Sequence, residues 1–328
     1  MRIVVLPGDG IGPEVAAAAV RVLRELPLDL QLEEHLLGAA AIRETGDPLP
    51  PETLDACLAA AAVLLGAVGD PELERAEVRP EQGLIRLRRE LDVYANLRPA
   101  QSDAVDLLVV RELVGGLYYG AQGTRTDGTV FDTMEYRPDQ VERVARRAFE
   151  LARERRRHVT SVDKANILAT SRLWREVVER VAAGYGDVKL EHLLVDTCAM
   201  QLVLAPGRFD VILTENTFGD ILSDVAAGAT GGLGLAASAS LGDGSGPGIF
   251  EPVHGSAPDI AGQGVANPAA MLRSAALMLR HGLEAPDEAG RLEAAVDAAL
   301  VEKPTPDLGG SATTAELTDA VLRALSAR

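Results

Sequence analysis

Short runs of apolar residues alternate along the chain with longer stretches in which apolar residues return every three or four positions. The first kind of pattern predicts buried strands and the second predicts amphipathic helices. Residues 2–6 predict a strand, and 13–26 a helix with Pro13 in its first turn, where a missing N–H is harmless. Residues 55–65 read as a helix running into a strand, and 107–111 as a short buried strand. Residues 138–157 predict a long amphipathic helix, opened by Pro138 and closed by a basic cluster that the helix dipole favours. Further on, strands are expected at 158–163, 190–195 and 209–214. Helices are expected at 170–183 and 197–204, from 220 to at least 227, and at 267–281. This alternation predicts α/β layering around a largely parallel sheet. No linker stands out, so composition alone places no domain boundary.

The longest charge-free run, 225–242, holds five glycines and several Ser and Thr, and is expected to be loop or packed turn rather than a membrane span. The chain enters its first strand directly, with no n-region or cleavage site, so no signal peptide is expected. With 328 residues, 47% of them hydrophobic, there is enough apolar material for one large or two medium cores. Cys57 and Cys198 are the only cysteines, both in apolar surroundings, which points to a reducing, cytoplasmic compartment and no disulfide framework. The formal charge of −17 argues against nucleic acid or an anionic membrane as a partner. An anionic substrate would therefore need a local basic exception. Lys164, Lys189 and Lys303 are the three lysines, and nearly all other positive charge is arginine.

Five constellations carry possible chemistry. Leu6-Pro7-Gly8-Asp9-Gly10-Ile11-Gly12-Pro13-Glu14 is a glycine-rich turn between strand and helix. It matches a phosphate-cradling dinucleotide fingerprint only in part, because Pro13 stands where the third glycine belongs. Glu33 or Glu34 would be the ribose acid on that reading, and a structural tight turn is the alternative. Asp220 and Asp224 lie four apart on an expected helix, so their carboxylates share a face and repel. A hard divalent cation would compensate them, with Asp196 as a possible third ligand. The alternative, an acidic first turn favoured by the dipole, suits Asp220 better than Asp224. Arg98 and Arg111 each follow an apolar strand, and with Arg88 they form a set whose guanidinium forks suit a dicarboxylate. Arg86 and Arg89 read as a solvated helix face.

Lys164 follows a buried strand, where desolvation would favour its neutral, basic form, and Tyr118 sits in a glycine-rich turn from which it could donate a proton. A Lys164–Asp163 salt bridge and an ordinary packed tyrosine are the competing readings. Finally, the segment from Glu251 through His254 and Asp259 to Asn267 is dense in Gly, Pro and small polar residues, as a loop that wraps a nucleotide would be. Asp259 would accept bonds from ribose hydroxyls and repel a 2′-phosphate, favouring NAD over NADP.

Taken together, these segments resemble the isocitrate/isopropylmalate dehydrogenase family from residue 4 to residue 312. The motifs that carry the resemblance are Leu6–Glu14, Val162-Asp163-Lys164-Ala165-Asn166, Phe218-Gly219-Asp220-Ile221-Leu222-Ser223-Asp224 and the run from Phe250 to Asp259. Thr45-Gly46-Asp47-Pro48-Leu49-Pro50 and the run from Val110 to Tyr118 look like the branch that acts on isopropylmalate. The resemblance implies an α/β fold that is not a Rossmann fold, with two domains sharing a long mixed β-sheet. The first would comprise 1–93 and 232–328 on the cofactor side, the second 94–231 with the dimerisation and metal sites. It implies NAD-dependent, Mg²⁺- or Mn²⁺-assisted oxidation and decarboxylation of (2R,3S)-3-isopropylmalate, a step of leucine biosynthesis, by a homodimer with shared active sites.

The implied roles follow residue by residue. Arg88, Arg98 and Arg111 would hold the substrate carboxylates. Asp220 and Asp224 of one subunit, with Asp196 of the other, would hold the metal. Lys164, also from the other subunit, would take the hydroxyl proton, and Tyr118 would protonate the enol carbon. His254, Gly255, Ser256, Ala257, Asp259, Ile260 and Asn267 would line the adenosine half of NAD. Leu84 and Ile85, with Glu81 one turn earlier, would occupy the apolar patch that meets the isopropyl group; an isocitrate enzyme would place a small hydroxyl residue in that patch. Two features depart from that branch. Residues 99–110 are short for the family, and Asp196-Thr197-Cys198-Ala199-Met200-Gln201 and Gly231-Gly232-Leu233-Gly234-Leu235 look closer to homoisocitrate dehydrogenases. A homoisocitrate or broad-specificity enzyme is therefore the second expectation, and a non-catalytic binding paralogue the third.

Overall fold

The computed structural model describes residues 1–102 and 104–327. The chain divides into two compact units, Met1–Asp92 with Leu233–Arg328, and Val93–Gly232. In the first stretch of the first unit come β1 (Arg2–Gly8), α1 (Gly12–Arg24), β2 (Gln31–Glu34), α2 (Ala39–Thr45), α3 (Pro51–Leu58), β3 (Ala62–Ala67) and α4 (Pro80–Glu90). The second unit contains β4 (Ala95–Ser102), β5 (Val105–Glu112), a small hairpin of β6 (Gln122–Thr124) and β7 (Val130–Asp132), α5 (Pro138–Arg153), β8 (His158–Asp163), α6 (Ala169–Ala182), β9 (Lys189–Leu194), α7 (Val195–Leu204), β10 (Val211–Thr214) and α8 (Asn216–Ala229). The chain then completes the first unit with β11 (Ala237–Leu241), β12 (Gly248–Pro252), α9 (Ala269–His281), α10 (Pro286–Glu302) and α11 (Thr314–Ser326).

In the first unit the strands run in the order β2-β1-β3-β12-β11, parallel except where β11 meets β12. In the second the order is β4-β5-β10-β8-β9, parallel except for the β4–β5 hairpin. Strands β3 and β10 are buried at every position, as parallel strands covered on both faces must be. Leu107, Val109, Val162, Leu202, Phe209, Ile212 and Leu222 form one buried cluster of the second unit.

Several expected boundaries move. Helix α8 begins at Asn216, four residues before Asp220, because the Glu215 carboxylate caps it by accepting from the Thr217 and Phe218 amides. Residues 225–242, expected as loop, instead hold the end of α8 and strand β11. The strand reads Ala-Ser-Ala-Ser-Leu and is buried throughout; small side chains fit there, but their weak hydrophobicity hides the strand from a periodicity search. Arg98 does not follow a strand but lies inside β4. Arg86 is not simply solvated: its guanidinium bonds to Asp47 and to the Leu49 carbonyl, tying α4 to the 45–50 loop. Gly83 permits the same contact, since a Cβ there would lie 2.6 Å from the Pro48 carbonyl oxygen.

The glycine-rich loop after β1 is filled by protein rather than shaped around phosphate. A Cβ on Gly8 would lie 1.9 Å from the Ala67 carbonyl oxygen, and one on Gly10 2.0 Å from that of Ser256. The buried Asp9 carboxylate accepts from the amides of Ala39, Ala40 and Gly69, so the loop knits α2 and the end of β3 together. Glu33 and Glu34 stand exposed on β2. Cys57 and Cys198 are free and buried, and desolvation pushes each thiol up to about 12, far from thiolate reactivity. Among the described residues no helix is long and apolar enough to cross a membrane.

Candidate active site

In the second unit, one face of α8 carries Asn216, Gly219, Asp220, Ser223 and Asp224, the spacing of a single helical stripe. The opposite stripe, with Leu222 and Ala226, packs into the apolar cluster. The β4–β5 hairpin supplies the partner surface. Asn96 pairs opposite Arg111 and Arg98 opposite Val109, so the two arginines are diagonal neighbours on one face of the hairpin. Both are buried, Arg98 at 9% exposure and Arg111 at 2%.

Buried guanidinium groups need partners, and these have them. Arg111 donates from Nε and Nη2 to the Asn216 side-chain oxygen, at 3.0 and 2.7 Å, and from Nη1 to Asp220. Arg98 donates from Nε to Asn96, at 2.8 Å, and from Nη1 to Ser223 Oγ, at 2.8 Å. Arg98 also lies 3.3 Å from Asp220 and 3.6 Å from Asp224. Gly219 makes room for this arrangement, because a Cβ there would lie 2.6 Å from Arg111 Cγ. Tyr118 ends a short 3₁₀ turn, Gly116–Tyr118, and its hydroxyl donates to Asp220 at 3.0 Å. Its ring lies 5.7 Å from the Arg111 guanidinium carbon. Burial first, and the Asp220 charge second, push the Tyr118 phenol up, so it stays protonated. Asp224 is also pushed up, by burial and by Asp220, against the pull of Arg98.

Five of the expected residues therefore converge: Arg98, Arg111, Tyr118, Asp220 and Asp224. Because α8 starts at Asn216, Asp220 and Asp224 lie beyond its first turn, and the dipole does not account for either. Lys164 and Asp196 are placed differently. Lys164 does not bridge to Asp163, whose carboxylate is occupied by Arg175 and the Ala165 amide. It pairs instead with Asp196 in the first turn of α7, and this partner holds the Asp196 carboxyl below its usual range. Nor is the Lys164 side chain fully desolvated, being 28% exposed. Among the described residues no group of three His, Cys, Asp or Glu side chains lies close enough to hold a metal, so Asp196 does not join Asp220 and Asp224 within one chain.

In the first unit, α4 presents Leu84, Ile85 and Arg88 at i, i+1 and i+4, while Gly83 and Leu87 face inward. Arg88 donates to Glu251 at 2.6 Å, and both side chains are largely buried. The loop after β12 carries the expected adenosine-side residues. Gly255 and Asp259 are exposed, His254, Ala257 and Ile260 are intermediate, and Ser256 and Asn267 are buried. The loop is anchored by Ile11 N–H donating to the Ser256 carbonyl, and by Asn267 donating to Asp307. Ala257 holds a left-handed φ of 39°, uncommon for a residue with a Cβ. His254 Nε2 is buried and unpartnered, and burial pushes the imidazole down into its neutral form.

Sequence reading missed Asn96, Glu112, Asn216 and Ser223 as supports of the α8 cluster, and, in the first unit, Glu251 as the partner of Arg88. For Asn216 and Ser223 a signal existed, since they share the helical stripe of the two acids.

The profile of the isocitrate/isopropylmalate dehydrogenase family matches residues 2–321. The chain belongs to this family. It is 51% identical to a 3-isopropylmalate dehydrogenase of Deinococcus radiodurans, over 99% of this chain and 97% of that protein. It is 50% identical to one of Zymomonas mobilis, over 99% and 100%. Among solved structures it resembles an isocitrate dehydrogenase from Methylococcus capsulatus, with a TM-score of 0.92 and 40% identity over 99% of both chains. A β-decarboxylating dehydrogenase from Thermococcus kodakarensis in its apo form matches with a TM-score of 0.87 and 37% identity, over 99% of this chain and 96% of that one. The fold is thus the family's α/β fold, and the chain is an enzyme of a dehydrogenase family.

Proposed function

We propose that this protein is an NAD-dependent dehydrogenase that converts (2R,3S)-3-isopropylmalate to 4-methyl-2-oxopentanoate and carbon dioxide, in leucine biosynthesis in the cytoplasm. The observation that carries the reading is the convergence of two buried arginines, two aspartates and a protonated tyrosine along one stripe of α8. Relatives about half identical over their whole length bear the name of this activity.

The residues divide the work by their chemistry. Arg88, Arg98 and Arg111 hold the carboxylates of the substrate, with forks whose geometry suits them. Leu84 and Ile85 meet the isopropyl group; such a contact is worth only ~1–3 kcal/mol, which sets a preference rather than an exclusion. Lys164 takes the proton from the C2 hydroxyl, through water, and Tyr118 returns one to the enol carbon. A tyrosine kept protonated by its surroundings suits the second task.

Asp220 and Asp224 offer hard oxygen donors side by side, which fits Mg²⁺ or Mn²⁺. Asp196 of a second copy would complete the set, and Lys164 would come from that copy too. Exposed apolar side chains on α7 and α8 support such a homodimer: Met200, Val203, Leu204 and Ile221 are 51–72% exposed in the single chain. In the other unit, the orphaned Nε2 of His254 fits a ligand with hydrogen-bonding edges, such as an adenosine. Asp259 would select NAD by repelling a 2′-phosphate. When bound, the nicotinamide supplies a hydride acceptor, and the divalent ion supplies positive charge where negative charge gathers as the carboxyl group leaves.

The test is NADH formation when the protein, NAD⁺ and Mg²⁺ meet a panel of isopropylmalate, isocitrate, homoisocitrate, malate and tartrate. Isopropylmalate should turn over fastest. Faster turnover of homoisocitrate would move the assignment to that branch, and no turnover by folded protein would leave a binding role.

A further inference from the structure

The N-terminal residue of α8 does more than begin a helix. Asn216 is fully buried, and its side chain makes no bond to the amides of its own helix. Capping is done by Glu215. The Asn216 side-chain oxygen instead receives both Nε and Nη2 of Arg111. Its amide nitrogen donates to the carbonyls of Leu113 and Gly115, at 3.1 and 2.9 Å. Only this orientation of the amide is chemically consistent, with the acceptor toward a guanidinium and the donor toward two carbonyls. The Leu113 and Gly115 carbonyls lie immediately before the turn that ends in Tyr118.

We propose that Asn216 is the positioning residue of the active site, one amide that locks the Arg111 fork and the Tyr118 turn to the helix carrying Asp220 and Asp224. The inference rests on the dehydrogenase reading above for its kinetic consequences, but not for its structural ones. Removing the amide strands two buried carbonyls and part of a buried guanidinium, which a well-packed site cannot rehydrate. The consequence falls on geometry, and a misplacement of about 1 Å can cost about a hundredfold in rate.

Two substitutions separate the two ends of the amide. Asn216→Asp keeps an acceptor for Arg111 but cannot donate to the Leu113 and Gly115 carbonyls. It should lower kcat at least ~30-fold while KM for isopropylmalate moves less than ~3-fold, because only the acid-bearing turn is freed. Asn216→Ala removes both ends and should also raise KM ~10-fold or more. Added to Tyr118→Phe, Asn216→Asp should cost no more than ~3-fold further, since residues acting as a unit are not additive. Fully additive losses, or equal falls in kcat and rises in KM for both variants, would mean a merely structural role and overturn the proposal.

Amide hydrogen exchange gives a readout independent of turnover. In Asn216→Asp, residues 113–119 should exchange ~10-fold faster while 221–229 of α8 stay protected. Unchanged exchange at 113–119 overturns the proposal even if the protein is active. If the wild type turns over nothing on the panel, the function reading fails and the exchange result still decides this one. Should Asn216→Asp not fold, Asn216→Ser, smaller and uncharged, is read by the same exchange.

Discussion

Glu112 is a carboxylic acid in a place that disfavours its charge. It is fully buried next to Arg111 and accepts from the amides of Val114 and Gly115. Desolvation pushes its carboxyl up to about 7, although those two amides, the Arg143 charge and the Tyr136 hydroxyl pull the other way. A raised carboxyl binds its proton more tightly in the folded than in the unfolded chain. Its stabilisation is therefore complete below the ordinary value near 4.5 and is lost as pH rises through about 7. The wild type should lose on the order of 3 kcal/mol relative to Glu112→Gln between those limits, by chemical denaturation without substrate. Parallel pH profiles for the two proteins would show that Glu112 is ionised throughout. Lys164 teaches a related lesson. Its neighbour in sequence, Asp163, is the obvious salt-bridge partner, yet Arg175 reaches that carboxylate from the next helix and Lys164 turns to Asp196. Lys164 lies just past the end of β8, where the chain turns away from the strand, so sequence proximity says little about which charges meet.

Within α8 the same residues that build a helix build a site. Its polar stripe is set by period, and that much was legible, because Asp220 and Asp224 fall four apart. What was not legible is how closely β5 approaches. Gly219 lies against the aliphatic part of Arg111, so its missing side chain is what lets the guanidinium reach both Asn216 and Asp220. Alanine in a helix interior normally stabilises by roughly 0.5–1 kcal/mol relative to glycine. Gly219→Ala should nonetheless raise KM for isopropylmalate at least ~10-fold, because the added carbon meets Cβ and Cγ of Arg111 rather than a flexible tip. Thermal unfolding should change by only a few degrees. An unaltered KM would mean that Arg111 can shift without loss. The glycine-rich loop after β1 makes the opposite point. Its composition suggested a phosphate cradle, but its glycines are required where the backbone passes Ala67 and Ser256. Glycine spacing reports close approach without saying whether a ligand or the chain itself does the approaching.

For the molecule as a whole, the charged residues proposed for the reaction fall into two groups. Asp220 and Asp224 lie with the arginines, whereas Asp196 and Lys164 pair with each other and contribute to no three-acid cluster among the described residues. The homodimer with shared sites proposed above would reconcile this division with one reaction. Sharing has a direct consequence. Lys164→Met and Asp220→Asn should each be nearly inactive alone. Coexpressed, they should recover roughly a quarter of wild-type activity, since half the dimers are mixed and each mixed dimer has one intact site. No recovery, with mixed dimers verified by mass, would place each site within one chain. Within 99–110, the segment expected to be short, residue 103 lies outside the described residues; on either side of it Ser102 pairs with Val105, in the register that keeps Arg98 and Arg111 on one face.

By itself the sequence determined the alternation of strands and helices, the residue types of the site and the family, because periodicity, proline and glycine positions and four specific motifs are local properties of the chain. Only the tertiary structure decided which charges meet. Arg111 joins Asn216 and Asp220, more than a hundred residues away, and Lys164 abandons Asp163 for Asp196. Those choices are made by sheet register and helix packing, which bring distant residues within bonding distance and bury them there, so that each charge must take the partner the fold offers.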